Sequence, residues 1–229
     1  DTRVTLKLLN HLGIKKNLVS YYEHNKATQG SRIVERILAG ETCALVSDAG
    51  SPAISDPGEG LVKQCAAAGI PVCAIPGPCA AITALSISGQ ATGRFCFEGF
   101  LSTAKKSRRE HLDALKKEQR TMIFYEAPHK LLTTLTDLRE VFGGDRPISL
   151  CRELTKLHEE VVRTTLAEAV TRYTETPPKG EFVLIVAGAP AEQQEAPSET
   201  DAAARVSQLM AEGVSRKDAV KQAAAELGL

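Results

Sequence analysis

Cys43-Ala44-Leu45-Val46, running into Ser47-Asp48-Ala49-Gly50-Ser51-Pro52-Ala53-Ile54-Ser55-Asp56-Pro57-Gly58, is the stretch that decides the fold. Four apolar residues of strand length enter a loop of small, turn-forming residues. Leu61 to Ala68 then has helical spacing and stops at Gly69. The order returns in Val72-Cys73-Ala74-Ile75, the turn Pro76-Gly77-Pro78-Cys79, and a small-residue helix from Ala80 to Ile87. Strand, loop and helix in that order predict an open, mostly parallel sheet. Ligands of such sheets bind at the carboxyl ends of the strands, where both loops lie.

Outward from this stretch the α/β rhythm continues. Val4 to Leu12 reads as a helix closed by Gly13, and Leu18 to Ser20 as a short strand. Ser31 to Leu38 is helical, with Ile33, Val34, Ile37 and Leu38 on one stripe. Beyond Gly89–Gly93 the pattern changes. Phe95 to Phe100 alternates as a strand, and a charged helix follows over 105–118. Strand Met122–Tyr125, helix His129–Phe142, strands Ile148–Cys151 and Glu160–Thr165, helix Leu166–Tyr173 and strand Phe182–Val186 complete the series. This divides the chain into an α/β domain over 1–90 and a second, mixed-sheet α/β domain over 91–188. An Ala/Pro/Gln/Glu linker over 189–200 and a short helical tail over 201–229 follow, with Ser215 and Asp218 as a capping box.

Twenty-eight Lys plus Arg balance twenty-eight Asp plus Glu in 229 residues, and 43% of residues are hydrophobic. These values exclude wholesale disorder and a strongly basic nucleic-acid binder. No run of ~18 apolar residues predicts a membrane span, and no charged-then-apolar leader is visible. Cys43, Cys65, Cys73, Cys79, Cys96 and Cys151 lack C-x-x-C spacing. They are expected to be reduced core residues of a cytosolic protein, with no structural metal. The one basic cluster is Lys105, Lys106, Arg108 and Arg109, read equally as a solvated helix start or an anion contact.

The two loops carry the chemistry. Two Asp, two Gly and two Pro in the thirteen residues 46–58 exceed what a turn with Asp caps requires. Asp48 or Asp56 could accept hydrogen bonds from sugar hydroxyls or an ammonium. The prolines of 76–78 fix the entry to a helix whose first turn has little side-chain bulk, leaving N–H groups for a polar ligand. Tight helix–sheet packing through the alanines is the plainer alternative. Gly58-Glu59-Gly60 is only a partial G-x-G-x-x-G, since Lys63 stands at the third glycine, so a dinucleotide site is not expected.

Ser47-Asp48-Ala49-Gly50-Ser51-Pro52, Asp56-Pro57-Gly58 and Pro76 to Leu85 together resemble the tetrapyrrole-methylase class of S-adenosylmethionine enzymes. Further motifs narrow the likeness: Arg94-Phe95, Glu98-Gly99-Phe100-Leu101, Phe124-Tyr125-Glu126-Ala127-Pro128-His129-Lys130, Arg152-Glu153-Leu154-Thr155-Lys156 and Lys179-Gly180-Glu181. With them the chain resembles the bacterial small-subunit ribosomal RNA methyltransferase I family over residues 1 to about 188. Members of that family carry a strand and a Pro-Ile-Gly-Asn-Leu loop ahead of the segment that Asp1-Thr2-Arg3 matches. The wider class has Gly-Asp-Pro where this chain has Gly50-Ser51-Pro52, so a carboxylate role does not transfer to Ser51.

The resemblance implies two domains with an S-adenosylmethionine cleft between them and methylation of a cytidine ribose 2′-hydroxyl in the decoding region of 16S ribosomal RNA. It places the cofactor against Asp48, Gly50, Ser51, Ile54, Cys79, Ala80 and Ala81, with Tyr125 and Glu126 closing the cleft. It also implies a homodimer in the cytoplasm. For proton removal the sequence offers Glu126, His129, Glu153, Lys156, Lys179 and Glu181; Glu126, Glu153 and Lys156 are taken as the catalytic set. Lys105, Lys106, Arg108 and Arg109 are the expected RNA contacts. The competing functions are methylation of a small tetrapyrrole-like molecule and a non-catalytic nucleotide- or RNA-binding module.

Overall fold

A computed structural model describes residues 1–190 and 199–227. The chain divides into two compact units, residues 1–189 and 190–229. In the first unit the elements run α1 (Thr2–His11), α2 (Lys26–Leu38), α3 (Glu59–Ala67), α4 (Ala80–Ser88), β1 (Phe95–Phe100), α5 (Lys105–Ala114), β2 (Thr121–Glu126), α6 (Pro128–Phe142), β3 (Pro147–Arg152), β4 (Glu160–Thr165), α7 (Leu166–Glu175) and β5 (Phe182–Val186).

The sheet is mixed, in the order β1-β2-β5-β3-β4. β1 runs parallel to β2; the β2–β5, β5–β3 and β3–β4 pairs are antiparallel. The central strands read as nearly continuous apolar runs because both faces are covered. One face, with Met122, Phe124, Ile148, Leu150, Leu184 and Val186, packs with Leu131, Leu135 and Leu138 of α6 and Leu166 and Tyr173 of α7. The other presents Ile123, Cys151, Val183 and Ile185 to Ala81, Ala84 and Leu85 of α4. The alanines allow that close approach, and burying each large aliphatic residue stabilises by ~1.5–3 kcal/mol. Pro128 begins α6, where its missing N–H costs no hydrogen bond. Thr165 and Glu168 form a capping box that turns β4 straight into α7.

The first ninety residues depart from expectation. Residues 18–20, 43–46 and 72–75 join no ladder among the described residues, so the parallel sheet expected there is not formed. An apolar run supplies the side chains of a buried strand, but the strand exists only where a neighbour takes up its N–H and C=O groups. Without one, Val46 and Val72 are each 54% exposed and Ile75 is 85% exposed. What packs in this region is α2 on α3, through Ile33, Leu61 and Cys65 with Tyr21, Leu45 and Ile70. The expectation of six core cysteines is corrected in the same way. Cys65 and Cys151 are buried and Cys79 and Cys96 partly so, whereas Cys43 and Cys73 are exposed on the unpaired runs. The charged helix stops at Ala114, short of 118.

In the second unit, α8 (Glu199–Ala211) and α9 (Arg216–Leu227) close over Leu209, Ala219 and Ala223. Ser215 and Asp218 form the expected cap, with the Ser215 hydroxyl 2.6 Å from the Asp218 carboxylate. Most of the linker expected over 189–200 lies outside the described residues.

Candidate active site

The two loops come together through their backbones. Ser51 N–H donates to the Pro78 carbonyl at 2.9 Å. Gly50, at φ +74°, makes this join fit: a Cβ there would stand 2.9 Å from the same carbonyl oxygen. A Cβ at Gly77 would stand 3.1 Å from Ser51 Oγ. Gly50 is therefore required by loop against loop. The Ser47 hydroxyl donates to the carbonyls of Ala49 and Gly50 and tightens the turn.

Ala53 (φ +68°) and Ser55 (φ +59°) take the left-handed conformation without being glycine. Such strain persists only where the surroundings hold it, and it concentrates at ligand sites. Between them Ile54 is 48% exposed. Beyond them Asp56 has its carboxyl raised above the usual range, first by burial and then by the charge of Asp48. Asp56, weighed in the sequence only as a hydrogen-bond acceptor, thus gains a property that only the assembled loop reveals.

Across the loops, α4 begins at Ala80 with Cys79 as a cap that makes no side-chain hydrogen bond. Its first-turn N–H groups are presented without a capping oxygen of their own. One of them, Ala81 N–H, donates to the Tyr125 hydroxyl at 3.0 Å, so the last turn of β2 is tied to the second loop. Burial pushes the Tyr125 phenol upward, keeping it neutral. Asp48, Gly50, Ser51, Ile54, Cys79, Ala80, Ala81 and Tyr125 therefore belong to one constellation. Two approaching backbones, uncapped N–H groups and two carboxylates fit a flexible zwitterionic ligand with a cationic centre.

Glu126 lies beside Tyr125 but is committed elsewhere. Its oxygens accept from its neighbour Ala127 N–H at 2.8 Å and from the Thr134 hydroxyl at 2.6 Å, and it is 4% exposed. It secures the start of α6. His129 is exposed on that helix.

Glu153 and Lys156 occupy a tight turn after β3. Lys156 Nζ contacts Glu153 at 2.9 Å and Glu181 at 2.8 Å, and Glu181 N–H donates to Glu153 at 2.8 Å. These donors hold the Glu153 carboxyl below the usual range, the Glu181 N–H first, while the two carboxylates raise the Lys156 ammonium. Glu153 (φ +49°) and Thr155 (φ +65°) are both left-handed. Leu154 between them packs against the cluster that also carries Ala81, Cys79 and Tyr125, which brings the turn to the α4 side of the sheet. Gly180 (φ +82°) is needed here because a Cβ would fall 2.5 Å from Glu153 Cγ. Lys179 contributes its carbonyl, which accepts from Arg152 at 2.6 Å.

The basic cluster at the start of α5 is divided. Arg108 is largely buried and bound to Asp137 at 2.6 Å and to the carbonyls of Ser102 and Thr103. Arg109 pairs with Asp113 and Glu140. Lys106 is 90% exposed, 3.9 Å from Glu110, and Lys105 is exposed. Only the two lysines present open charge. A separate open cavity of about 870 Å³ is lined by Arg152, Glu160, Arg172, Tyr173, Pro177 and Lys179. It coincides with neither loop, and the loop site is defined by backbone approach instead of enclosed volume.

Residues 2–170 match the family described as Tetrapyrrole (Corrin/Porphyrin) Methylases. The chain is 48% identical over 229 residues to Ribosomal RNA small subunit methyltransferase I of Synechocystis sp., covering 100% of this chain and 82% of that one. It is 49% identical over 232 residues to the protein of the same name from Halalkalibacterium halodurans, covering 100% and 80%. Among solved structures, it resembles the methyltransferase CobJ with TM-score 0.55 at 21% identity, over 77% of this chain and 74% of that one. A uroporphyrin-III C-methyltransferase from Thermus thermophilus, complexed with S-adenosyl homocysteine, matches with TM-score 0.51 at 15% identity over 73% and 75%. At those identities the solved structures speak to the fold alone.

Proposed function

The chain belongs to the tetrapyrrole methylase family, and from that membership we propose that it transfers a methyl group from S-adenosylmethionine to the ribose 2′-hydroxyl of a cytidine in the decoding region of 16S ribosomal RNA. It is an S-adenosylmethionine-dependent methyltransferase of small-subunit ribosomal RNA, the activity named in relatives that share about half its residues along its whole length. Against the tetrapyrrole alternative stands that identity: the likeness to tetrapyrrole enzymes is one of fold, which hosts several substrates. The observation that carries the reading is the join of the two loops at Ser51 and Pro78, beside an uncapped α4 and under Tyr125.

Bound there, the sulfonium of S-adenosylmethionine supplies an electrophilic methyl carbon. The N–H groups at the start of α4 and the backbone of Gly50 and Ser51 hold its polar ends, and Asp48 receives its ammonium. Tyr125 pins α4 to the sheet, so that the distance from donor to acceptor oxygen is fixed by packed elements. Lys156, kept charged between Glu153 and Glu181, stabilises the hydroxyl oxygen as it gives up its proton. Asp56 accepts the proton. Its carboxylate is exposed on the first loop, whereas Glu153 is held by Lys156 and the Glu181 N–H, and Glu126 by the Ala127 N–H and the Thr134 hydroxyl.

Lys105 and Lys106 make the phosphate contacts of the basic cluster. With zero net charge the chain relies on local charge and RNA shape. Arg108 and Arg109 hold α5 in place for them. Replacing the two lysines by serine is expected to flatten the salt dependence of RNA binding, read by fluorescence anisotropy across a salt series, and to leave cofactor affinity unchanged. We place the protein in the cytoplasm; no described helix is long and apolar enough to cross a membrane. We also propose a homodimer with two-fold symmetry, tested by sedimentation at micromolar concentration. The reaction itself is tested by incubating the protein with labelled S-adenosylmethionine and undermodified small ribosomal subunits. The label is expected on one cytidine ribose of the decoding region; its transfer to a tetrapyrrole instead, with none to RNA, overturns the reading.

A further inference from the structure

Half of the six phenylalanines lie on one strand, and that strand is open. Phe124, Phe142 and Phe182 are buried, whereas Phe95, Phe97 and Phe100 of β1 are 38%, 37% and 57% exposed. β1 is an edge strand, paired among the described residues only with β2, and α4 covers β2, β3 and β5 beside it. Natural edge strands are generally blunted with charge or proline, so a row of aromatic rings there calls for an occupant.

The strand's register aims two of these rings at one point. Phe97 stands opposite Ile123, and regular pairing would bring Gly99 opposite Tyr125. Instead the register shifts between Phe97 and Gly99; Gly99 faces Phe124, and Phe100 takes the place opposite Tyr125. The extra residue, Glu98, is held toward α5, where its carboxylate lies 2.8 Å from His111 Nε2. Gly99 follows in the left-handed region, at φ +64°. As a result Phe97 and Phe100, three positions apart, both meet the Tyr125 ring edge to face, with centroids 5.1 and 5.5 Å away. Irregularities of this kind recur next to active sites, where they re-aim a side chain.

The cluster is continuous with the donor loops. The Tyr125 hydroxyl holds Ala81 N–H, and a Cβ built on Gly99 would stand 3.6 Å from Ser55 Oγ of the first loop. We propose that Phe100, backed by Phe97 and Tyr125, is the ledge on which the base of the methylated nucleotide stacks, so that its ribose turns toward the donor. This rests on the ribosomal RNA reading. Sequence-specific RNA recognition targets loops and ends whose bases are unstacked, and an exposed aromatic ring stacks such a base and so fixes the position of its ribose. Phenylalanine offers a face and no hydrogen bond, so the ledge positions the base without reading which base it is.

The test uses Phe100→Leu, Phe100→Tyr and wild type, each first shown by calorimetry to bind S-adenosylmethionine. Affinity for a short single-stranded RNA with the decoding-region sequence is read by fluorescence anisotropy, and KM and kcat on undermodified small subunits are read separately. Phe100→Leu is expected to weaken oligonucleotide binding and raise KM roughly tenfold or more, with kcat changed much less. Phe100→Tyr, which keeps a stacking face, is expected to stay within about twofold of wild type. Equal oligonucleotide affinity for Phe100→Leu and wild type overturns the ledge. So does a Phe100→Leu variant that turns dimer to monomer with unchanged RNA affinity, since the face would then be a contact between copies. If wild type transfers no methyl group to ribosomal RNA but binds the oligonucleotide through Phe100, the reaction reading fails and Phe100 stands as a base-stacking surface without a methylated nucleotide, which overturns the ledge in the form proposed.

Discussion

Residues 95–186 and residues 1–79 of the same chain are organised on opposite terms. The first stretch forms the five-stranded sheet, with Leu131, Leu135, Leu138, Ile148, Leu150 and Leu184 fully buried. The second holds together through α2 and α3 around Ile33, Leu61 and Cys65, and leaves α1 with no buried residue. Yet the second supplies the strained loop 47–58 and most of loop 75–81, while the first contributes Tyr125 and the 152–156 turn. Stability resides in one region and the proposed donor cradle in the other, with α4 joining them. Backbone that must approach a ligand cannot also be filled with side chains, which is why the cradle is the thinner part.

The largest effect expected is on stability. Leu184→Ala should cost ~3–4 kcal/mol, since the site lies between covered faces and cannot collapse, whereas Leu61→Ala should cost about half as much. Equal losses in urea unfolding would break the comparison. Next comes chemistry. Asp56→Asn should lower kcat about 100-fold while leaving the melting temperature and S-adenosylmethionine affinity nearly unchanged. With Asp56 as the proposed proton acceptor, the raised carboxyl sets the sign: wild-type activity is expected to fall as pH drops through a value above the ordinary one for an aspartate. Asp56→Asn should remove that acid limb; an unchanged limb assigns the titration to another group. A smaller effect is expected from Gly50→Leu, which strains a left-handed position and collides with the Pro78 carbonyl. It should weaken S-adenosylmethionine about tenfold by calorimetry without unfolding the sheet region.

The sequence made the two regions unequally legible. From Phe95 onward each apolar run has a partner in the ladder, so period alone located β1 to β5 and the helices between them. Before Gly89 the runs 43–46 and 72–75 look the same in sequence, but their status depends on ladder partners that periodicity does not encode. The loops were legible as small, turn-forming residues after apolar runs, and the structure joins them at Ser51 and Pro78. Individual roles were less so. Glu126 follows Tyr125 in sequence, yet alternation sends it to Thr134 beneath α6. Arg108, counted as open charge, belongs to Asp137. The shift that pairs Phe100 with Tyr125 has one trace in the sequence, Gly99 in the middle of a strand.

Hydrogen–deuterium exchange of the whole protein, with and without saturating S-adenosylmethionine, tests the division of labour most directly. Slow exchange is expected in β2, β3 and β5 in both states, fast exchange over 47–58 and 75–82 in the free protein, and new protection in those two segments on binding. Protection gained instead around the cavity of Arg152, Arg172 and Tyr173, with the two loops unchanged, would contradict that division of labour.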